Sequence, residues 1–267
     1  MTKGADFSLA GRTIVITGGG GILGKRMASA LVGAGASVAI IEPDLEKARA
    51  AVSAIGDGPG HAVAIAADIT VPQAVVRACD EIESLLGPVY GLVNNAARKS
   101  ENFFEPFETY SLEDWNEVFS VNLTGAMICC QVFGGGMVER GVGAIVNTLS
   151  IYGIVAPDQR IYGGALYEGR AINTPAVYSA SKAGLWGLTK YLATYWGDKN
   201  IRVNAITPGG VFSGQNDTFV KAYSNRVPMG RMADQDEMSG AVVFLLSDAA
   251  SFVTGQNIVV DGGLSVW

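Results

Sequence analysis

A tyrosine and a lysine four positions apart are the residues of this sequence best suited to proton chemistry. Tyr178 and Lys182 belong to "YSASK", at the start of a stretch with helical period. The i, i+4 spacing places both side chains on one helix face, within reach of one ligand. Tyrosine, with a pKa of about 10, is a weak base at neutral pH, but a nearby ammonium stabilises the phenolate and lowers that pKa. The pair therefore predicts a group that exchanges a proton while a hydride moves between an alcohol and a carbonyl.

A serine and a second tyrosine–lysine pair are the other residues that could take part in proton chemistry. Ser150 stands at the end of a predicted strand, where its hydroxyl can polarise a substrate oxygen. Tyr195 and Lys199 repeat the four-residue spacing, 17 residues further along the chain. That offset is roughly 25 Å down a helix and about 100° around it. We therefore expect the second pair at the surface and the first pair at the site.

A run of glycines follows the first predicted strand and opens the first predicted helix. Within "TGGGGILG", Gly19, Gly21 and Gly24 fit the pattern G-x-G-x-x-G. Without Cβ atoms, such a turn lets backbone N–H groups approach a pyrophosphate, and the helix start adds free amides and a positive dipole end. In its strand-to-helix context, the motif predicts a dinucleotide site.

Two acidic residues at the ends of the next strands bear on the choice of cofactor. Glu42 ends the second strand, 18 residues after Gly24. A carboxylate there accepts hydrogen bonds from the adenosine ribose and repels a 2′-phosphate, which favours NAD over NADP. Lys25 and Arg26 stand near the loop and weaken this preference. Asp68, at the end of the third strand, is placed to meet the adenine edge.

Short apolar, β-branched runs alternate with longer segments of helical period. Continuous apolar strands need cover on both faces, as in a parallel sheet between two helix layers. We therefore predict one α/β domain spanning residues 1–267, a doubly wound parallel sheet of the Rossmann type with about seven strands and helices on both faces. The predicted strands are Thr13–Thr17, Ser37–Glu42, Ala62–Asp68, Tyr90–Ala96, Gly143–Ser150, Ile201–Pro208 and Asn257–Gly263. The predicted helices are Ile22–Gly33, one capped by Asp44, Leu112–Arg140, Ala176–Trp196 and Gln235–Leu246.

Composition excludes several other classes of function. The 267 residues carry a net charge of −6 without a basic cluster, so we expect neither nucleic acid nor a membrane surface as a partner. Three scattered cysteines and one histidine predict no metal site and a reducing cytoplasm. The start of the chain has no apolar signal segment. The uncharged stretch Val118–Val138 contains Asn122, Gln131 and three glycines, which favours a buried helix over a membrane span.

Several motifs in order make the chain resemble a short-chain dehydrogenase/reductase from end to end. These motifs are "TGGGGILG", "NNAA", "VNLTG", "NTLS", "YSASK", "IRVNAITPGG" and "TGQNIVVDGG". The resemblance implies a catalytic tetrad of Asn122, Ser150, Tyr178 and Lys182, in which Asn122 holds a helix kink and a water of the proton relay. It also implies a homotetramer, with the Val118–Val138 helix and the helix of Tyr178 as interface elements.

The same resemblance implies a cofactor site along the strand ends. Lys182 holds the nicotinamide ribose, and the segment after Pro208 lines the nicotinamide, with Val211 and Ser213 near its carboxamide. The residues assigned to the cofactor, NAD rather than NADP, are Gly18, Gly20, Gly21, Ile22, Leu23, Glu42, Asp68, Ile69, Asn95, Ala96, Tyr178, Lys182, Pro208, Gly209, Val211 and Ser213. Two positions depart from the family's motifs, because Ile22 and Ala97 stand where glycine is usual.

A longer departure predicts the substrate region. Ser150 and Tyr178 are 28 residues apart, whereas the family more often spaces them about a dozen apart. We expect residues 156–175 to form a lid over the site and residues 211–232 to form a substrate loop. The polar lid residues are Asp158, Gln159, Arg160, Tyr162, Tyr167, Glu168, Arg170 and Asn173. The residues assigned to the substrate are Tyr152, Arg160, Tyr162, Arg170, Asn173 and Gln215.

These features favour an NAD-dependent oxidoreductase that interconverts a secondary alcohol and a ketone on a small polar substrate, such as a sugar or sugar acid. The segments "SIYG" and "TPGG" resemble a subgroup of reductases in sugar modification, including flagellin glycosylation. Two alternatives stay open at this point. One is an enzyme of the same family acting on an acyl or other apolar carbonyl compound. The other is a binding protein that senses NAD(H) without catalysis.

Overall fold

The computed structural model describes residues 5–56, 58–167 and 169–267. Its strands are β1 (Thr13–Thr17), β2 (Ser37–Glu42), β3 (His61–Ala66), β4 (Val89–Asn94), β5 (Gly143–Thr148), β6 (Leu166–Tyr167), β7 (Arg170–Ala171), β8 (Ile201–Pro208) and β9 (Asn257–Val260). Its α-helices are α1 (Ile22–Gly33), α2 (Leu45–Ile55), α3 (Pro72–Leu86), α4 (Leu112–Phe119), α5 (Ala126–Arg140), α6 (Ala176–Tyr195), α7 (Asp217–Ser224) and α8 (Ser239–Leu246).

Over these ranges, seven strands form one parallel sheet in the order β3-β2-β1-β4-β5-β8-β9. The order reverses between β1 and β4, and open α/β sheets bind ligands beyond the carboxyl ends of the strands at such a point. The predicted doubly wound fold is confirmed. It brings the ends of β1, β4, β5 and β8 to one edge, where the glycine turn, Asn95, Ser150 and Gly209 follow them.

Two apolar layers cover the sheet, one on each face. On one face α1, α2 and α8 pack through residues such as Met27, Leu31 and Leu246. On the other face α3, α5 and α6 pack through residues such as Ile82, Phe133 and Leu192. Because both faces are covered, the central strands are apolar along their whole length, as the sequence predicted.

Four of the seven predicted strands, β3, β4, β5 and β9, extend two or three residues too far at the site edge. Asp68 lies beyond β3, in a turn that its own side chain closes. The Asp68 carboxylate accepts hydrogen bonds from the backbone N–H of Thr70 at 2.9 Å and from the Thr70 hydroxyl at 2.7 Å. The predicted helix Gln235–Leu246 begins only at Ser239. Glu237 turns back there and accepts from the Asp234 N–H at 2.7 Å and from Arg231, so residues 235–238 form turns instead.

The predicted long helix Leu112–Arg140 is continuous but is not α-helical throughout. A π-helical segment, Ser120–Gly125, joins α4 to α5 and contains Asn122. By length and composition alone this helical segment could cross a membrane, with a mean hydropathy of 1.4. Half of its most apolar window is buried inside the protein, as in the core helix of a soluble protein.

Candidate active site

The glycine turn is shaped by two close backbone approaches. Gly18 has φ +65°, and a Cβ there would lie 2.7 Å from the Cα of Ala96. A Cβ on Gly24 would lie 2.3 Å from the carbonyl oxygen of Gly18. Helix α1 begins at Ile22 without a side-chain cap, so its first amides stay available to an anion. Gly19 packs toward the core, because a Cβ there would lie 2.8 Å from the buried side chain of Ile40.

The end of β4 holds this turn in place. The Asn95 side-chain amide donates to the carbonyl oxygens of Thr17 at 3.1 Å and of Gly18 at 3.0 Å. In return, the Thr17 hydroxyl accepts from the backbone N–H groups of Asn95 at 3.1 Å and Ala96 at 3.2 Å. These bonds end β4 at Asn94 and fix the turn, although Ile22 replaces the usual glycine.

Glu42 lies at the end of β2, directly below the turn. Its side chain is 5% exposed, and its carboxylate accepts from the Gly20 N–H at 2.8 Å and from the Lys47 ammonium at 3.1 Å. Gly20 therefore contacts Glu42 rather than the groove. Asp44, as predicted, caps the next helix by accepting from the N–H groups of Glu46 and Lys47.

A groove of about 810 Å³ runs along the strand ends. Its position, its glycine walls and the uncapped start of α1 fit a dinucleotide. The residues assigned to the cofactor that line it are Gly18, Gly21, Ile22, Leu23, Glu42, Asp68, Ile69, Asn95 and Ala96. Pro208 and Val211 line neither this groove nor the adjoining cavity, because Pro208 is buried at the end of β8 and Val211 forms a bridge with Ala233.

A second cavity of about 410 Å³ adjoins the groove and shares Ile22, Ala97 and Arg98 with it. Ser150, Tyr178, Gly209 and Ser213 line this cavity. Ser150 and Tyr178 therefore meet despite their separation in sequence, because residues 156–175 loop out between them.

The environment of Tyr178 differs from the sequence expectation. Burial raises the pKa of the Tyr178 phenol, and a hydrogen bond with Ser150 opposes that increase. The Lys182 side chain is directed to the end of β5. Its ammonium donates to the Thr148 carbonyl oxygen at 2.7 Å and lies 5.9 Å from the centre of the Tyr178 ring. Burial lowers the pKa of Lys182 itself to about 8.

Asn122 is buried in the π-helical segment. Its carbonyl oxygen accepts from the Arg98 N–H at 2.9 Å, and its amide donates to the Ser181 hydroxyl at 3.1 Å. π-turns are rare and often mark functional sites, since they displace one residue from the α-helical hydrogen-bond pattern. The π-helical segment stands where the resemblance implied a kink, and Asn122 connects the loop after β4 to α6.

Only some of the residues assigned to the substrate line the cavity. Tyr152, Tyr162, Asn173 and Gln215 line it. Arg160 is turned away, because its side chain is 91% exposed and its guanidinium donates to Asp158 at 2.8 Å. Arg170 is also exposed and lies outside the cavity. The assignment of these two arginines to the substrate is wrong in this structure. One polar residue of the predicted lid, Glu168, lies outside the described residues.

Sequence reasoning missed the aromatic and hydroxyl lining of the cavity. Phe103 and Phe104 come from the loop after β4, Phe219 comes from α7, and Thr174 comes from the lid. Asn173 ties two of these parts together, since its amide donates to the Phe104 carbonyl oxygen at 2.7 Å. The adjacent Phe103 and Phe104, a few residues after "NNAA", were the sequence feature that could have indicated this lining.

Tyr195 and Lys199 lie outside the site, as predicted. Tyr195 is exposed at the end of α6, and the Lys199 ammonium stands 5.9 Å from its ring centre. Among the described residues, no group of three or more His, Cys, Asp or Glu side chains could hold a metal ion.

A doubly wound sheet with a glycine turn, a dinucleotide groove and an adjoining Ser–Tyr cavity defines a nicotinamide-dependent oxidoreductase. A family model described as enoyl-(acyl carrier protein) reductase matches residues 20–265. The chain belongs to the short-chain dehydrogenase/reductase family.

Relatives of known name span nearly the whole chain. D-threitol dehydrogenase of Mycolicibacterium smegmatis is 34% identical over 266 residues, which cover 98% of this chain and 95% of the relative. A gluconate 5-dehydrogenase from Burkholderia cenocepacia, solved with NADP and tartrate, has a TM-score of 0.86, 30% identity and 98% coverage of both chains. A short-chain dehydrogenase from Leptospira borgpetersenii, solved with NAD⁺, has a TM-score of 0.83 and 32% identity, and the match covers 99% of this chain and 97% of that chain.

Proposed function

We propose that this oxidoreductase uses NAD(H) to interconvert a secondary hydroxyl and a ketone on a polyol, sugar or sugar acid. The observation that carries the proposal is the cavity in which Ser150 and Tyr178 meet side-chain hydroxyls of the lid, next to the dinucleotide groove. A hydroxyl-rich ligand can form hydrogen bonds with the hydroxyl groups of this wall, whereas a simple hydrocarbon cannot.

The residues of the chain divide the proton chemistry among them. A bound nicotinamide supplies the hydride acceptor or donor. In the oxidation direction, Tyr178 takes the proton of the substrate hydroxyl, and Ser150 donates a hydrogen bond to the same substrate oxygen. Tyr178 lines the cavity beside Ser150, so both hydroxyls face the place of the substrate. Lys182 holds the ribose, and Asn122 completes the relay to solvent.

The cofactor preference rests on Glu42. Its carboxylate faces the part of the groove where an adenosine ribose would lie, together with Pro43 and Asp68. A negative charge there disfavours the 2′-phosphate of NADP. Related structures hold NAD⁺ in one case and NADP in another, so the preference depends on this chain's own residues.

The substrate class is supported by the relatives, which are named for threitol and gluconate. A second candidate is an acyl or other apolar carbonyl compound, because Phe103, Phe104 and Phe219 give the cavity apolar walls. The description of the matching family model points the same way.

A substrate screen separates these two candidates. Purified enzyme is incubated with NAD⁺ and D-threitol, xylitol, gluconate or octan-2-ol, and NADH formation is followed by absorbance. We expect a higher kcat/KM for at least one polyol or sugar acid than for octan-2-ol. A preference for octan-2-ol, with no turnover of any hydroxyl-rich compound, would contradict the proposal.

We also propose a homotetramer. The π-containing helix and α6 present exposed apolar side chains, among them Leu112, Tyr191 and Tyr195, and the two tyrosine rings stack at 5.6 Å. Light scattering after size-exclusion chromatography measures the mass, and a monomer at micromolar concentration would contradict this state.

A further inference from the structure

Three hydroxyl groups from two segments form a chain on the wall of the cavity. The Tyr162 hydroxyl lies 3.3 Å from that of Tyr152 and 2.5 Å from that of Thr174. Tyr152 follows Ser150 by two residues, whereas Tyr162 and Thr174 belong to the lid. All three residues line the cavity that holds Ser150 and Tyr178. We refer to Tyr152, Tyr162 and Thr174 as the hydroxyl trio.

The trio has an unused hydrogen-bond donor. Each hydroxyl carries one proton, and the two hydrogen bonds within the trio use two of the three protons. The count leaves one O–H whichever direction the two bonds run. Over the described residues, these hydroxyls bond only to one another. Because this O–H belongs to the wall of a cavity, the wall favours a ligand that supplies an oxygen.

The trio lies close to the reacting groups. Tyr162 is near enough to Tyr178 that an ionised Tyr162 would raise the pKa of Tyr178. Tyr152 is tied to Ser150 by its backbone N–H, which donates to the Ser150 hydroxyl at 3.3 Å. A ligand whose carbinol carbon sits at Ser150 and Tyr178 therefore meets the trio with its neighbouring carbons.

We propose that the hydroxyl trio is a specificity site that binds a second hydroxyl group of the substrate, on a carbon near the one that reacts. This inference rests on the proposed function and deepens it. A hydroxyl group both accepts and donates, so it takes the unused proton of the trio and returns its own proton to a trio oxygen. A substrate without this second hydroxyl leaves the donor unpaired and is disfavoured.

A purely structural role would give different results. If the trio only fastens the lid to the segment after Ser150, its loss affects all substrates alike, since every substrate shares the same lid. The test therefore compares a polyol with a secondary alcohol that has no second hydroxyl.

Tyr162 donates to Tyr152, so the unused proton is that of Tyr152. The experiment uses Tyr152→Phe and the double variant Tyr152→Phe/Tyr162→Phe, which remove one and two hydroxyls with little change in shape. The substrates are the polyol with the highest kcat/KM in the screen and butan-2-ol, which has a single hydroxyl. Tyr191→Phe is the matched control, because it removes an exposed tyrosine hydroxyl outside the cavity. The affinity for NADH is measured by fluorescence titration, and the stabilisation of the enzyme–NADH complex by the polyol is measured as a shift in Tm.

We expect Tyr152→Phe to lower kcat/KM for the polyol about tenfold, the size of one lost hydrogen bond between neutral groups. The value for butan-2-ol and the affinity for NADH should change less than twofold. The Tm shift caused by the polyol should shrink in both cavity variants and persist in Tyr191→Phe.

Two results would overturn the inference. An equal loss on both substrates, or no loss on either, leaves the trio without a role in specificity while the proposed function stands. If wild-type enzyme turns over no polyol, the proposed function fails. If the polyol also leaves the Tm of the enzyme–NADH complex unchanged, the trio does not bind hydroxyl groups either.

Discussion

Glu42 and Lys47 form an ion pair at the adenosine end of the groove, with the ammonium 3.1 Å from the buried carboxylate. The lysine side chain is half exposed and lines the same groove. The negative charge that should repel a 2′-phosphate therefore has a positive partner beside it. The strength of the NAD preference depends on the balance of these two charges.

Lys47→Met should sharpen the preference for NAD. Removing the ammonium leaves the Glu42 charge uncompensated, so the ratio of the Kd for NADPH to the Kd for NADH should rise about tenfold at low salt. Glu42→Gln should move the ratio the other way, since Lys47 then attracts the phosphate. Fluorescence titration of both cofactors measures the ratio, and Lys199→Met, remote from the groove, controls for net charge. An unchanged ratio in both groove variants would refute this account.

Tyr178→Phe should abolish turnover, because it removes the proton-exchanging hydroxyl. The affinity for NADH should remain within about threefold of wild type, since the glycine turn and Glu42 are untouched. Steady-state kinetics and NADH titration check the two parts separately. Tyr195→Phe, from the pair with the same spacing, should leave turnover unchanged. Persistent activity in Tyr178→Phe would remove the central residue of the proposal.

Lys182→Met should inactivate the enzyme and stabilise the fold. Burial lowers the pKa of Lys182 from 10.5 to about 8, so the charged form costs about 3 kcal/mol at pH 7. Loss of the hydrogen bond to Thr148 offsets part of the gain, which leaves an increase of about 1–3 kcal/mol in the free energy of unfolding.

The pH dependence gives a second readout for Lys182. Between pH 8 and 10.5 the unfolded chain keeps the lysine proton that the native state has lost, so this residue makes wild-type stability rise with pH. Below pH 8 the lysine is protonated in both the native and the unfolded state, so it no longer makes stability depend on pH. Urea unfolding across this range should show the rise in wild type and in Lys190→Met, an exposed lysine, but a smaller rise in Lys182→Met. If stability rises equally with pH in wild type and in Lys182→Met, the burial of Lys182 does not lower its pKa.

Gly24→Ala should weaken cofactor binding. The added Cβ would lie 2.3 Å from the Gly18 carbonyl oxygen, so the turn must move. We expect the Kd for NADH to rise at least tenfold. Gly33→Ala at the other end of α1 is the matched control, because a Cβ there meets no atom within 4 Å. It should leave the Kd unchanged, and equal values in both variants would show that the turn tolerates the change.

The sequence predicts the fold well where local pattern and tertiary burial agree. β1, α1, β2 and β8 have the predicted bounds, since each is an apolar run between clear turn signals. The strand ends at the site are less predictable. Asp68 and Asn95 look like strand residues in the sequence, but their side chains bond to turns.

The site is predictable in its residue types but not in all its contacts. Ser150 and Tyr178 meet as expected because the motif order fixes the fold. The partners of Lys182 and Glu42 depend on side chains and carbonyls that only the fold brings together. The same holds for Arg160, because a lid sequence does not reveal which of its side chains face outward.

The π-helical segment around Asn122 also bears on how this enzyme could lose its chemistry. A π-turn holds one residue more than an α-turn, so deletion of a single residue from Ser120–Gly125 would let the chain run on as ordinary α-helix into α5. The register of the core helix would survive such a deletion, while the amide that links Arg98 to Ser181 would be displaced. We expect such a deletion variant to fold and to lack turnover.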